Sequence, residues 1–143
     1  SRAIGVDICR SPKLLDIEFE QMDFMSDTAF QLPQVDVVML LGVLYHTHDP
    51  VGMLMRARRL ALEEVWIETA ICNPGVQFPQ FKTFDDHTNW FRPNPAAVRW
   101  MCSKVGLEPV DDGHEWADGR YVLRATVGEI PAHRPRGIDW MDL

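Results

Sequence analysis

Chemistry-bearing side chains cluster where short apolar runs stop. Asp7 finishes the run AIGVDI at residues 3–8, Asp23 follows the alternating stretch IEFEQM at 17–22, and GVLYHTHDP at 42–50 follows VDVVMLL at 35–41. In open α/β sheets, ligands bind just beyond the carboxyl ends of the strands, so each junction is a candidate site position. An acid at such an end can accept hydrogen bonds from both hydroxyls of a ribose, which suits Asp7. Asp23 followed by Phe24 suits an adenine, the carboxylate taking the exocyclic amine and the ring packing on the phenyl group. Taken singly, each acid reads equally well as turn chemistry; the series of junctions is the specific signal. GVLYHTHDP adds a small residue, Gly42, and then Tyr45, His46, His48 and Asp49. His46 would act as a base where an acceptor has to lose a proton. The bland alternatives are packing for Tyr45 and a strand-end hydrogen bond for His46. His46, His48 and Asp49 also raise a metal site, but adjacent ligands on a helix-entry turn seldom converge. No further Cys/His cluster supports one, so no metal is expected.

The elements that carry these residues are readable from periodicity. VDVVMLL, with Asp36 its one interior charge, reads as a strand buried on both faces. Asp49-Pro50 supplies an N-cap and a first-turn proline, so a helix starts at once. It runs to about Ala61, with Met53, Ala57, Leu60 and Ala61 on the buried face. AIGVDI reads as a short buried strand and IEFEQM as a half-buried one, with a helix-start signal at Ser11-Pro12 between them. Phe24 to Gln34 is a loop or a short helix. VWIETA, 65–70, is the next buried strand, and it ends with Glu68 and Thr69. The connection from Ile71 to Pro93 is long enough to be functional or lid-like. Asn94-Pro95 then repeats the cap signal; Val98, Met101, Cys102 and Val105 share one helix face, and Gly106 sits at the C-terminal cap. Leu107–Val110 and Tyr121–Val127 read as a closing antiparallel pair around Asp112-Gly113 and Asp118-Gly119. The order predicts an α/β sandwich with a mainly parallel sheet over residues 1–127 and an irregular tail over 128–143.

Composition narrows the partners. The chain has 143 residues, enough for one domain with a genuine core. A formal net charge of −7 gives no electrostatic footprint for nucleic acid. Arg56, Arg58 and Arg59 form a small basic cluster that reads as a solvated helix face. A small-molecule substrate is therefore favoured over RNA. No run is long enough to span a membrane, and no signal-peptide pattern opens the chain. Cys9, Cys72 and Cys102 have no CxxC spacing; Cys9 at a strand end and Cys102 on a helix's apolar face read as thiols of a reducing compartment, so a cytoplasmic location is expected.

VDVVMLLGVLYHTHDP resembles the fourth-strand segment of class I S-adenosylmethionine-dependent methyltransferases, in particular the group that includes the tRNA wobble-uridine carboxymethyltransferase. DDHTNWFRPNPAAVRWMCSKVGLEPV, 85–110, resembles a TNWW-PN segment of the same group, and GRYVLRATV, 119–127, resembles its last strand. The matches keep their order across residues 3–127, and the Asn-Trp plus Pro-Asn motif is the most specific. The resemblance implies a Rossmann-like three-layer sandwich that binds S-adenosylmethionine. It implies that Asp7 holds the ribose, Asp23 and Phe24 frame the adenine, and Leu41 and Gly42 line the methionine part. Tyr45 and His46 would face the methyl group and its acceptor, and Asn89 and Trp90 would close over the substrate. Arg120 falls where the carboxymethyltransferase has an arginine contacting the carboxylate of its modified cofactor; its alternative is a surface pair with Asp118 or Glu115.

The group's glycine-rich strand, loop and helix have no counterpart here and would precede Ser1. The expected sheet therefore lacks its first strand and leaves a gap between its first and third visible strands. RSPKLLDIEF likewise joins a helix start to a helix end without the middle turns. A preceding segment or a second copy in a homodimer is expected to complete the sheet. The function expected is methyl transfer from S-adenosylmethionine to a small-molecule acceptor. The alternative is a degenerate, non-catalytic methyltransferase-like domain that acts as an interaction or dimerisation module. A nicotinamide-dependent enzyme has no place for the Asn-Trp and Pro-Asn segment.

Overall fold

The computed structural model describes residues 4–7, 18–83, 87–116 and 119–130. The helix start at Ser11-Pro12, Cys9, Asp118 and most of the expected tail lie outside them. In chain order the strands are β1 (Ile4–Asp7), β2 (Glu18–Gln21), β3 (Val35–Leu41), β4 (Ala61–Ala70), β5 (Phe81–Thr83), β6 (Phe91–Pro93), β7 (Leu107–Pro109), β8 (His114–Trp116) and β9 (Arg120–Val127). Helix α1 (Pro50–Leu60) lies between β3 and β4, and α2 (Pro95–Lys104) between β6 and β7. Short 3-10 turns occupy Asp27–Gln31 and Leu44–His46.

The architecture is α/β, as expected. β1 and β2 pair in parallel as a sheet of their own, with Ile4 opposite Glu18 and Asp7 opposite Gln21. The larger sheet runs β3-β4-β9-β7, with β8 also paired to β9. β3 and β4 are parallel, and β9 is antiparallel to β4, β7 and β8. The closing antiparallel part thus has three strands where two were expected, because the residues before the second glycine turn also pair with β9.

One core holds the larger sheet to both helices. Leu40 of β3, Val65 and Ile67 of β4, and Tyr121, Leu123 and Ala125 of β9 pack against Met53, Leu54 and Ala57 of α1 and Val98, Met101 and Cys102 of α2. Period-two alternation explains which residues these are, since alternate side chains leave opposite faces of a strand. The same alternation corrects the expectation that β3 is buried on both faces. Val38 and Leu40 pack toward the helices, whereas Met39 is 58% and Leu41 60% exposed.

Local signals set the helices. Asp49 Oδ1 accepts from Gly52 N at 2.8 Å, and Asn94 Oδ1 accepts from Ala97 N at 2.9 Å, each satisfying an otherwise orphaned first-turn donor. Gly106 after α2 adopts φ +73°, and a Cβ there would stand 2.6 Å from the Glu129 carbonyl oxygen. Only glycine meets both conditions, as the C-terminal cap signal predicts. α1 passes into β4 without a loop: Ala61 N–H still donates to Ala57 O while Ala61 itself pairs with Val35. β4 therefore begins four residues before the expected strand at 65, tertiary pairing overriding the helical preference of Leu62, Glu63 and Glu64. No helix among the described residues is long and apolar enough to cross a membrane.

The connection from Ile71 to Pro93 is more ordered than expected. It folds back as the β5–β6 ribbon, with the Phe81 and Phe91 rings edge to face at 5.5 Å. Its fastening point is Asn94, which is fully buried. Besides capping α2, its Oδ1 accepts from Gln80 N at 3.0 Å, and its Nδ2 donates to Val76 O at 3.0 Å and Phe78 O at 2.9 Å. One side chain thus pins the 76–80 turn to the start of α2.

Candidate functional site

β3 ends at Leu41, and the chain turns at Gly42 with φ +69°. Gly42 N still donates to Glu68 O at 3.0 Å, so the glycine stays on the ladder while it redirects the backbone. Leu44 then drops fully into the core and anchors a 3-10 turn that presents Tyr45 and His46. The distal connection returns to this turn: Trp90 N donates to Tyr45 O at 2.9 Å, and His46 Nδ1 bonds Thr88 O at 2.8 Å. A carbonyl only accepts, so the Nδ1 of His46 is the donor in this bond, and in the Nδ1–H tautomer Nε2 is the acceptor. The Tyr45 and His46 rings lie 4.2 Å apart, and His48 meets Trp90 edge to face at 5.8 Å. Asn89 and Trp90 therefore stand beside the strand-end turn although more than 40 residues separate them from it.

A cavity of about 910 Å³ lies between β1 and β3. Its walls are Ile4 and Val6 of β1, the β3 side chains from Val38 to Leu41, and Asp23, Phe24 and Met25 after β2. Gly42, His46, His48 and Thr88 form its strand-end rim. Of the residues expected to bind a cofactor, Asp23, Phe24, Leu41 and Gly42 are brought to one cavity, and Asp7 closes β1 one residue past the cavity-lining Val6. The Asp23 Oδ1 accepts from Met25 N at 2.8 Å in a tight turn, and Phe24 is half-buried beside it. His46 reaches the cavity; Tyr45, Asn89, Trp90 and Arg120 are not among its lining residues.

Tyr45 and Arg120 instead meet Glu68 in a cluster against Gly42. Arg120 donates through Nε and Nη2 to both oxygens of Glu68, the Nη2 bond measuring 2.6 Å. Its Nη1 donates to the Tyr45 hydroxyl at 3.0 Å, and its guanidinium carbon lies 5.2 Å from the Tyr45 ring centroid. Glu68, at the carboxyl end of β4, is mostly buried; Arg120 is about one-third exposed. The Glu68 carboxylate, and after it the Tyr45 hydroxyl, raise Arg120 above the ordinary guanidinium range, outweighing the opposing effect of burial. Arg120 therefore pairs with Glu68 on the neighbouring strand; of the two surface partners considered, Glu115 is not the one it bonds, and Asp118 lies outside the described residues.

Glu68 is the site residue that sequence reasoning left without a role. The signal was present, since Glu68 is an acid at the end of an apolar strand, as Asp7 and Asp23 are. Gly42 is where the cluster meets the cavity. A Cβ there would stand 3.3 Å from Arg120 Nη2, 3.6 Å from Glu68 Oε2 and 3.7 Å from the Tyr45 hydroxyl. Gly42→Ala must hold a left-handed φ, which costs about 1–2 kcal/mol, and must also crowd Arg120. The expected result is a loss of that size in urea unfolding, together with a shifted Arg120 Nε–H resonance; an unchanged resonance would mean the crowding is absorbed elsewhere.

Among known proteins, no protein-family profile matches the chain. It is 27% identical over 90 residues to the tRNA U34 carboxymethyltransferase of Idiomarina loihiensis, covering 56% of this chain and 26% of that protein. It is 33% identical over 72 residues to the Dichelobacter nodosus protein of the same name, covering 46% and 23%. The chain thus spans about a quarter of the length of these curated relatives. In structure it is similar to the Burkholderia thailandensis 1,6-didemethyltoxoflavin-N1-methyltransferase, solved with 1,6-didemethyltoxoflavin and S-adenosylhomocysteine bound. The TM-score is 0.68 at 15% identity, with 90% of this chain and 62% of that one covered. It is also similar to a family 2 O-methyltransferase of Planctomyces limnophilus in complex with apigenin, with a TM-score of 0.65 at 15% identity and 88% and 42% coverage. The magnesium protoporphyrin IX methyltransferase of Synechocystis, with bound S-adenosylhomocysteine, gives 0.57 at 18% identity, with 77% and 51% coverage. These likenesses show a Rossmann-like fold.

Proposed function

We propose that the chain is part of the catalytic domain of an S-adenosylmethionine-dependent methyltransferase that acts on a small molecule. The observation that carries this function is the cavity beyond β1 and β3, where Asp23, Phe24, Leu41 and Gly42 converge. An exposed carboxylate to accept from the exocyclic amine and a half-buried phenyl ring to pack on the base suit an adenine, and the apolar β3 wall with a side-chain-free turn admits a thioether chain. The fold, shared with methyltransferases solved with S-adenosylhomocysteine, supports the same assignment. Asp7 is assigned to the ribose hydroxyls.

When bound, S-adenosylmethionine supplies an electrophilic methyl group on a sulfonium, which leaves positioning and water exclusion to the protein. Thr88 fixes the His46 tautomer, so Nε2 is the atom that would take a proton from an acceptor. Tyr45 orients that ring from one side, and Asn89 and Trp90, carried in by the Trp90–Tyr45 backbone bond, are assigned to the acceptor. A net charge of −7 opposes a polyanionic acceptor, which favours a small molecule even though the curated relatives are named for tRNA. Calorimetric titration with S-adenosylhomocysteine tests the assignment. Saturable binding is expected, weakened about tenfold or more by Asp23→Ala, the loss of one hydrogen bond to a charged group. Absence of binding to the unaltered chain would overturn it.

A further inference from the structure

The Tyr45–Arg120–Glu68 cluster carries one more step, which rests on the proposed use of the Gly42 strand end. Arginine near a ligand site ordinarily offers a forked pair of donors to a carboxylate or phosphate. Here that fork is taken: Nε and Nη2 both go to Glu68, and Nη1 goes to Tyr45. The charges of Arg120 and Glu68 cancel, and Glu68 sits deeper than its partner. His46 and His48 are the other titratable groups on the rim nearby, and neither contacts the pair. Any group that passes Gly42 therefore meets an arginine whose donors are already taken.

We propose that Glu68 is a specificity-determining residue: by occupying the donor fork of Arg120 it keeps that guanidinium from receiving a ligand's carboxylate group, so a carboxylate elsewhere on a bound ligand has to be held by other residues. The group accommodated against Arg120 is then neutral or cationic. A carboxylate there would have to displace Glu68, which is tied at both oxygens and has little access to water in which to settle.

The test uses acetate and its uncharged isostere acetamide as probes, followed in the nitrogen-15-labelled chain at the Gly42 amide, which every variant retains and which lies against the Arg120 guanidinium, and at the Arg120 Nε–H where arginine is present. Unaltered protein is expected to show no saturable shift with either probe. Glu68→Gln keeps the shape, removes the charge and turns an amide toward one edge of the fork. It is expected to bind acetate at least about tenfold more tightly than the unaltered chain, with acetamide unchanged. Adding Arg120→Gln to that variant should abolish the gain. A saturable acetate site at Arg120 in the unaltered protein would overturn the proposal without need of any variant. So would a Glu68→Gln gain that survives Arg120→Gln, or no gain at all. Titrating the same samples with S-adenosylhomocysteine separates the two ideas. Failure to bind it removes the methyltransferase assignment and leaves the acetate comparison standing.

Discussion

Asn94→Ala is expected to lower the unfolding free energy by about 3–5 kcal/mol, read as a fall in the urea midpoint at constant slope. The size follows from how completely the side chain is used. It is fully buried, its Oδ1 takes two backbone N–H groups and its Nδ2 serves two carbonyls. Loss of an N-cap alone costs about 1 kcal/mol. The remaining cost comes from the backbone groups of Val76, Phe78 and Gln80, which lose their partner at a site water reaches poorly. Asn94→Ser separates the parts: a serine caps α2 but cannot reach the 76–80 turn, so it should recover only the capping share. Full recovery with serine would mean the turn is held by other contacts. The consequence extends to the site, because this turn leads through β5 to the segment that delivers Thr88 and Trp90 to the Tyr45–His46 turn. S-adenosylhomocysteine binding and the His46 environment should both respond.

Asn94 also shows which parts of the molecule a sequence discloses. Its capping role is a short-range event, decided within three residues and announced by Asn-Pro before a periodic run. The same holds for Asp49, for Gly106, and for the apolar face Val98, Met101, Cys102 and Val105, all of which are buried as read. Strand ends are equally local, so Asp23, Leu41, Gly42 and His46 could be placed at or just past strand junctions from the sequence, and the structure brings them to one cavity. What a strand faces is not local. VDVVMLL reads as doubly buried, yet the exposure of Met39 and Leu41 depends on what packs on that side, which the run itself does not encode. The other two bonds of Asn94 were hidden for a like reason, since nothing in the 76–80 stretch marks its carbonyls as needing a donor. Glu68 and Arg120 lie 52 residues apart. Their meeting is set by the β4–β9 register, which puts Glu68 opposite Val122 and Ala70 opposite Arg120, so that the acid and the base become diagonal neighbours.

That register supports the second large effect: Arg120→Ala should destabilise the protein by about 2–3 kcal/mol, and Glu68→Ala by less, about 1–2 kcal/mol. The order follows from burial. Removing arginine strands a mostly buried carboxylate at the end of β4, whereas removing the carboxylate leaves a guanidinium that is already one-third exposed and can turn to water while keeping its contact with Tyr45. The double variant should cost clearly less than the sum, with a coupling of about 1–2 kcal/mol, because either single change already abolishes the pair. Urea unfolding of the four proteins in the cycle measures it. Additive losses would mean that the two side chains merely lie close, and a larger loss for Glu68→Ala than for Arg120→Ala would mean that the arginine is the member that cannot escape. Arg120 also ties β9 to the 3-10 turn through Tyr45, so its loss should loosen that turn. Glu68→Ala leaves the Tyr45 contact in place. The two variants should therefore part company at the site itself, with the His46 ring resonances broadened by Arg120→Ala and sharp in Glu68→Ala.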